Sequence, residues 1–170
     1  MTQNNRILTN NTDTNMSKKT YYDYSQIHGI CDTLGNRISY KKFDSVVGVS
    51  RGGLIPATII AEKMNVRELR TVGVRSYALN GIGKRSTSVL YQSCSPYLSG
   101  DVLLIDDIAD TGETFNFLLD HFSKNKNIKS ITTCSLFVRR SSNYIPDYYH
   151  TDIIGTDWIV FPWEPAPPSN

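Results

Sequence analysis

The chain has 170 residues, of which 39% are hydrophobic and 20% charged, proportions typical of a globular domain with a buried core. Its formal net charge of +2 is too small to favour a nucleic-acid or membrane partner, and no apolar run approaches the roughly 18 residues of a membrane-spanning helix. Cys31, Cys94 and Cys134 lack the spacing of a zinc site and indicate reduced thiols in a cytoplasmic protein.

The first 20 residues are rich in Asn and Thr and predict a flexible tail. They lack the apolar segment of a secretory signal, and Met16 offers an alternative start of the chain. We expect a single domain over residues 21–170. Its first helix is predicted over Tyr24 to Leu34, where apolar residues recur on one helical face.

A predicted buried strand over Phe43 to Val49 ends in the sequence Ser50-Arg51-Gly52-Gly53. Two glycines let the backbone approach a ligand closely, and the guanidinium fork of Arg51 matches phosphate oxygens. Pro56 suits the first turn of a helix, which Ala57 to Met64 continues. This strand, turn and helix indicate an anion site, although an ordinary tight turn would show the same pattern.

A second strand is predicted over Thr71 to Val74, and Val89 to Gln92 is predicted as its returning neighbour. The connection over Ala78 to Ser88 contains two glycines, two cations and several small polar residues. Long loops in compact domains are often functional, so we expect a mobile loop that covers a site. A plain solvated connection is the alternative.

The most informative stretch begins with four branched apolar residues, Val102 to Ile105, which predict a strand buried on both faces of a parallel sheet. Asp106 and Asp107 follow at the carboxyl end of this strand, where ligands bind in open α/β sheets. Asp110 and the turn Thr111 to Thr114 then predict a phosphate site made of backbone N–H groups. Acids beside a phosphate repel it unless a cation or a ribose lies between them.

A helix over Phe115 to Phe122 and a strand over Ser130 to Val138 follow, and the strand ends at Arg139. We expect the aromatic segment Tyr144 to His150 to lie against the domain surface, and Trp158 to Glu164 to close the fold. Alternating strands and helices, with polar residues at the strand ends, predict an open, mostly parallel α/β sheet with helices on both faces.

These motifs together resemble the type I phosphoribosyltransferases. Val102 to Thr114 is similar to the family's ribose-phosphate signature, and Ser50 to Gly53 resembles its pyrophosphate loop. Ser76-Tyr77 resembles the start of the family's mobile flap. Trp158-Ile159 and Pro162-Trp163-Glu164 are similar to the C-terminal hood of bacterial xanthine–guanine phosphoribosyltransferases.

The resemblance implies a glycosyltransferase of purine salvage. It would transfer the 5-phosphoribosyl group from phosphoribosyl pyrophosphate (PRPP) to a 6-oxopurine base (guanine, xanthine or hypoxanthine) and release pyrophosphate. It also implies Mg²⁺ as cofactor, a homo-oligomer (dimer or tetramer), and a hood formed mostly by residues 139–170. The implied residues are Asp106, Asp107 and Asp110 for catalysis, the first two also for the metal; Asp110, Thr111, Gly112, Glu113 and Thr114 for the 5-phosphate; Ser50, Arg51, Gly52 and Gly53 for pyrophosphate; Arg139, Trp158 and Ile159 for the base; and Ser76, Tyr77, Lys84 and Arg85 for the flap.

In the roles that the resemblance implies, Asp110 is the general base for the purine N7, Trp158 stacks on the base, and Arg139 contacts its exocyclic oxygen. The chain departs from the family at Arg139, where close relatives carry Lys, and at Glu113, where a small or neutral residue is common. The first departure leaves the choice of base open.

Two alternatives remain at this stage. One is a non-catalytic regulator of the same fold that senses a nucleotide or PRPP and binds nucleic acid, although Lys and Arg are scattered and no DNA-binding motif is visible. The other is an enzyme that uses a pyrimidine, or a base attached to a larger group, which Arg139 leaves open. For Trp158 and Arg139, ordinary roles as a core aromatic and a surface charge also stay open.

Overall fold

The computed structural model describes residues 18–78 and 85–165. Its elements in chain order are β1 (Lys19–Tyr21), α1 (Tyr24–Ile38), β2 (Ser45–Ser50), α2 (Leu54–Lys63), β3 (Leu69–Ala78), β4 (Arg85–Gln92), a 3-10 turn (Ser95–Tyr97), β5 (Gly100–Ala109), α3 (Glu113–Ser123), β6 (Ile128–Arg139), β7 (Tyr148–Ile153) and β8 (Trp158–Val160). Lys84 and most of the predicted tail lie outside these ranges.

The described strands form a six-stranded sheet in the order β4-β3-β2-β5-β6-β7 and a separate two-stranded sheet of β1 and β8. Every pair in the larger sheet is parallel except β3 with β4. The open, mostly parallel sheet predicted from the sequence is therefore confirmed. None of the described helices is both long and apolar enough to cross a membrane.

Helices cover both faces of this sheet, as predicted. Residues of α1 and α2 join one apolar cluster, and residues of α3 join a second one on the opposite face. β5 contributes to both: Leu103 and Ile105 belong to the first cluster, whereas Val102 and Leu104 belong to the second. The four-residue apolar run is thus explained by side chains that alternate between two buried faces.

Helix α1 forms where its sequence pattern predicts it, with a capping box at its start. The backbone N–H of Gln26 donates to Asp23 Oδ1 at 2.8 Å, and the Asp23 N–H donates to Gln26 Oε1 at 2.9 Å. The buried side chains of the helix include Ile27 and Leu34, each of which adds about 1.5–3 kcal/mol by leaving water.

Three strands differ from the sequence prediction. β4 begins at Arg85, so Arg85 to Ser88, which were predicted as part of a mobile loop, are strand residues paired with β3. β1 includes Lys19 and Thr20, which the sequence assigned to the tail, because its backbone pairs in parallel with β8 in a contact that composition does not reveal. β7 includes Tyr148 to His150, which were predicted to lie against the surface, and instead forms the sixth strand beside β6.

Candidate active site

The site lies where the direction of the sheet connections changes. From β2 the chain crosses to β3 on one side, and from β5 it crosses to β6 on the other side. In open α/β sheets such a switch point leaves a crevice beyond the carboxyl ends of the two central strands. The two motifs singled out from the sequence follow β2 and β5, so the fold brings them to the same crevice.

The loop after β2 packs directly on Asp106 and Asp107. The sequence predicted these two residues just beyond the strand, but β5 continues to Ala109 and includes them near its carboxyl end. A Cβ on Gly52 would fall well within 3.0 Å of the carboxylate of Asp107, and a Cβ on Gly53 would overlap the backbone of Ile105 and Asp106. Close approach, rather than a positive φ, therefore constrains both glycines, Gly53 against backbone and Gly52 against the end of the Asp107 side chain. The peptide bond between Ser50 and Arg51 is cis.

The two acidic residues are mostly buried and oppose each other's ionisation. Asp106 is only 8% exposed, and its Oδ1 accepts the backbone N–H of Asp107 at 2.9 Å. Burial, followed by the charge of Asp107, raises the pKa of Asp106 well above its ordinary value. Burial likewise raises the pKa of Asp107 to about 6. Two carboxyls that resist joint ionisation are suited to a cation that would neutralise them.

The donor set fits Mg²⁺ when part of its coordination comes from a ligand. The described residues contain no cluster of three or more His, Cys, Asp or Glu side chains that could hold a metal alone. Magnesium is commonly bound by one or two carboxylates together with substrate phosphates and water. Asp106 and Asp107 could supply the carboxylates.

A small cavity of about 230 Å³ lies beside this pair and is lined by residues 106–115. Gly112 adopts φ +82°, and a Cβ there would lie 2.5 Å from the backbone nitrogen of Tyr144. Thr111 accepts the N–H of Asn143 at its carbonyl (2.9 Å) and the N–H of Glu113 at Oγ1 (3.3 Å). Because α3 begins at Glu113, the N-terminal amides of this helix adjoin a cavity suited to a phosphate.

A larger cavity of about 1070 Å³ joins the β2 loop to the C-terminal segment. Its lining residues are Ser50, Arg51, Gly52, Leu54, Ile55, Val74, Arg75, Asp107, Trp163, Glu164 and Pro165. The sequence analysis did not assign Arg75 or Glu164 to the site. Arg75 could have been identified from its position in β3, the strand next to β2. Glu164 was part of the hood motif but had no role assigned to it.

The predicted base side of the site is built around Arg139, the last residue of β6. β5 and β6 are in parallel register up to Ala109 and Val138, so the next residues, Asp110 and Arg139, leave their strands side by side. Arg139 Nε donates a hydrogen bond to Asp110 Oδ1. The side chain of Arg139 is only 17% exposed, which rules out the ordinary surface-charge role.

Trp158 and Ile159 take opposite environments in β8. Trp158 is 53% exposed, which rules out a role as a core aromatic, whereas Ile159 is 9% exposed and belongs to the apolar cluster of α1 and α2. The N–H of Trp158 donates to the carbonyl of Lys18 at 2.8 Å. The indole is therefore available on the outer side of a strand whose backbone is held in place.

The predicted flap falls at the hairpin of β3 and β4. Ser76 pairs with Ser88, and Ala78 pairs with Arg85, in an antiparallel register. Tyr77 lies within β3, and Lys84 lies outside the described residues.

Comparisons with known proteins agree with this geometry. A family model described as "Phosphoribosyl transferase domain" matches residues 18–170. The xanthine-guanine phosphoribosyltransferase of Idiomarina loihiensis is 26% identical over 150 residues, covering 87% of this chain and 88% of that protein. The protein of the same name from Gluconobacter oxydans is 29% identical, covering 85% and 83%. The crystal structure of a purine phosphoribosyltransferase from Pyrococcus horikoshii superposes with a TM-score of 0.77 at 27% identity, covering 90% of this chain and 98% of that one.

Proposed function

The chain belongs to the phosphoribosyl transferase family, and from this premise we propose that it transfers the 5-phosphoribosyl group of PRPP to a 6-oxopurine base. Guanine, xanthine and hypoxanthine are the candidate acceptors, and pyrophosphate is the second product. The observation that carries the proposal is the packing of Gly52 on Asp107, because it unites a pyrophosphate-type loop with a carboxylate pair beside a phosphate-sized cavity. The names of the relatives support the choice of a purine.

In this proposal the two cavities divide the cosubstrate between them. The cavity lined by residues 106–115 takes the 5-phosphate through backbone N–H groups and the hydroxyls of Thr111 and Thr114. The larger cavity takes the pyrophosphate, with Arg51 as the cation and Gly52 as the close-approach residue. The remaining loop residues, Ser50 and Gly53, shape the same turn, and Gly112 and Glu113 shape the phosphate turn.

Asp106 and Asp107 have two tasks in the proposed reaction. They accept hydrogen bonds from the ribose hydroxyls and hold Mg²⁺, which when bound neutralises the leaving pyrophosphate. As the bond between the anomeric carbon and pyrophosphate breaks, positive charge develops on the ribose, and the nearby carboxylates stabilise it. Their raised pKa in the free protein gives a physical reason for binding metal and cosubstrate together.

Asp110 accepts the proton from the purine N7 as a general base. Arg139 donates a hydrogen bond to Oδ1 of Asp110, and in this proposal Oδ2 is the oxygen that faces the base. Trp158 stacks on the purine, and the backbone of Ile159 contacts its edge. The flap, with Ser76, Tyr77, Lys84 and Arg85, closes over the site and excludes water that would hydrolyse the ribosyl centre.

We also propose a cytoplasmic homo-oligomer in which residues 139–170 form most of the hood over the base. The cytoplasmic assignment is supported by three free, buried cysteines. The proposal of a hood is supported by the contacts of Arg139 with the carbonyls of Gly155 and Asp157, which lie in the turn just before β8.

The decisive test is a panel of bases assayed for pyrophosphate release with PRPP and Mg²⁺. We expect turnover with one or more 6-oxopurines and little with adenine or pyrimidines. Turnover only with a pyrimidine would contradict the purine assignment. No turnover with any base, together with tight binding of nucleic acid, would instead favour a regulator.

A further inference from the structure

The guanidinium of Arg139 has three acceptors in two separate parts of the site. Nε donates to Asp110 Oδ1 after β5, Nη1 donates to the carbonyl of Gly155 at 2.6 Å, and Nη2 donates to the carbonyl of Asp157 at 3.2 Å. Gly155 adopts φ +66° in the turn between β7 and β8. This turn leads directly into Trp158, so a single side chain links the carboxylate of Asp110 to the start of the hood strand.

The geometry of this contact requires arginine. A planar fork presents donors on three different nitrogens, which allows it to meet a carboxylate and two carbonyls that lie in different directions. A lysine ammonium at the same position has its donors on one atom and would satisfy only part of this set. Three of the five N–H donors of Arg139, one on each nitrogen, already have a protein acceptor, so the guanidinium is held in place before any base arrives.

We propose that Arg139 is a positioning residue that holds Asp110 and the hood turn, residues 154–157, in one fixed arrangement. It does not select the base through the exocyclic oxygen, as the resemblance alone would imply. The inference rests on the proposed function for its catalytic consequence, because the value of a fixed Asp110 lies in meeting the purine N7. The structural coupling between Asp110 and the hood turn depends only on the three hydrogen bonds of Arg139.

The test compares Arg139→Lys and Arg139→Gln with the same substitutions at Arg140. Arg140 is the adjacent residue, but its side chain is 63% exposed and its Nε donates to Asp152 at 3.1 Å at the surface. The substitutions at the two positions therefore have the same chemistry and neighbouring places in the chain. They differ in what is lost, which is a buried guanidinium contact at Arg139 and a surface ion pair at Arg140. Arg139→Lys keeps the charge, so it also separates charge from geometry.

The first measurement is amide hydrogen exchange of the peptide that spans residues 153–160, in the absence of substrates. We expect both Arg139 variants to exchange at least tenfold faster in this peptide, with unchanged exchange in α1, and both Arg140 variants to match wild type. A loss of protection in α1 would show that a variant is misfolded. In that case exchange of the 153–160 peptide is compared between Arg139→Lys, the milder change, and wild type at a lower temperature at which α1 is protected in both. Equal exchange in wild type and in the folded Arg139 variants would overturn the proposal.

The second measurement is the division of the kinetic effect between kcat and KM. A displaced general base lowers the rate of the chemical step, and a misplacement of about 1 Å costs about 100-fold. We expect kcat to fall 10- to 100-fold in Arg139→Lys for every accepted base, with the KM of each base changed less than threefold. A rise in KM that is specific to one oxopurine, with kcat retained, would overturn the proposal in favour of direct contact with the base.

The two measurements also separate this inference from the function on which it rests. The exchange experiment needs no turnover, so its result holds even when no base is converted. Absence of turnover in wild type, combined with faster exchange in the Arg139 variants, would reject the proposed function and retain the coupling. Normal turnover in wild type, combined with equal exchange in wild type and the Arg139 variants, would retain the proposed function and reject the coupling.

Discussion

Replacement of Gly52 by alanine would test the packing on which the proposed PRPP site depends. The new Cβ would meet all three terminal atoms of the Asp107 side chain within 3.0 Å. The obstacle is the end of a side chain rather than backbone, so the fold can accommodate it if Asp107 turns away. We therefore expect the free energy of unfolding to change by about 0.5 kcal/mol or less, the usual range away from core and backbone defects.

The effect on ligand binding should be much larger. A displaced Asp107 would lose its place beside the metal and ribose, and the loss of one charge-assisted interaction costs about 1.5–3 kcal/mol. At 1.4 kcal/mol per tenfold change, the Kd for PRPP with Mg²⁺ should rise about 10- to 150-fold. Titration calorimetry with PRPP and Mg²⁺ measures this change, and urea denaturation without ligand measures stability.

Gly29→Ala provides the matched control. Gly29 lies within α1, and a Cβ there would meet nothing within 4 Å. Alanine in a helix interior is favoured over glycine by about 1 kcal/mol, so this variant should be more stable than wild type and bind PRPP equally well. If Gly52→Ala bound PRPP with wild-type affinity, the close packing of the loop on Asp107 would have no role in binding, and the reasoning would be wrong.

Substitutions at Gly53, Asp107 and Asp110 test other contacts of the same site. Gly53→Ala places its Cβ against the backbone of Ile105 and Asp106, so, unlike Gly52→Ala, it should lower the free energy of unfolding by more than about 2 kcal/mol in urea denaturation. Asp107→Asn should raise the urea midpoint at pH 8 without metal: burial raises the pKa of Asp107 to about 6 from an ordinary 3.8, so the stability from its bound proton is present below about pH 4 and lost as pH rises through 6. The gain should therefore shrink towards pH 4.5, and a gain that is constant with pH would contradict the assignment. Asp110→Asn should lower kcat by about 10²–10⁴-fold with little change in the Kd for PRPP, and retained turnover would remove Asp110 as the general base.

The sequence predicts the centre of the sheet well because its signals there are local. Val102 to Ile105 is apolar throughout, since helices cover both faces of β5, and such a run is typical of a buried parallel strand. The α1 pattern also has its cause within the helix, in one buried face and a capping box. These elements need no distant partner to be recognised.

The missed elements depend on the strands with which they pair. β1 is three residues long and mostly exposed, and it is a strand because its backbone pairs with β8, far along the chain. β7 mixes aromatic, charged and polar side chains at the edge of the sheet, so its composition resembles a surface segment. In both strands the hydrogen-bonded neighbour, rather than residue propensity, decides the conformation.

The site shows the same division. Asp106, Asp107 and the phosphate turn were identifiable because they lie close together in sequence, at the end of one strand and in the turn after it. The engagement of Arg139 with Asp110 arises from the register of β5 and β6, and the place of Glu164 in the larger cavity depends on where the C-terminal segment packs. Spacing along the chain carries no information about either contact.

Transfer of the phosphoribosyl group to a 6-oxopurine is tested by identifying the product formed from guanine, PRPP and Mg²⁺, with xanthine and hypoxanthine in parallel. For at least one of these bases we predict a 5′-mononucleotide and pyrophosphate in equal amounts, with formation lost in Asp106→Asn and Asp107→Asn variants that remain folded. Folded wild-type protein that forms no nucleotide from any of the three, or that forms it equally well in both variants, would contradict the account.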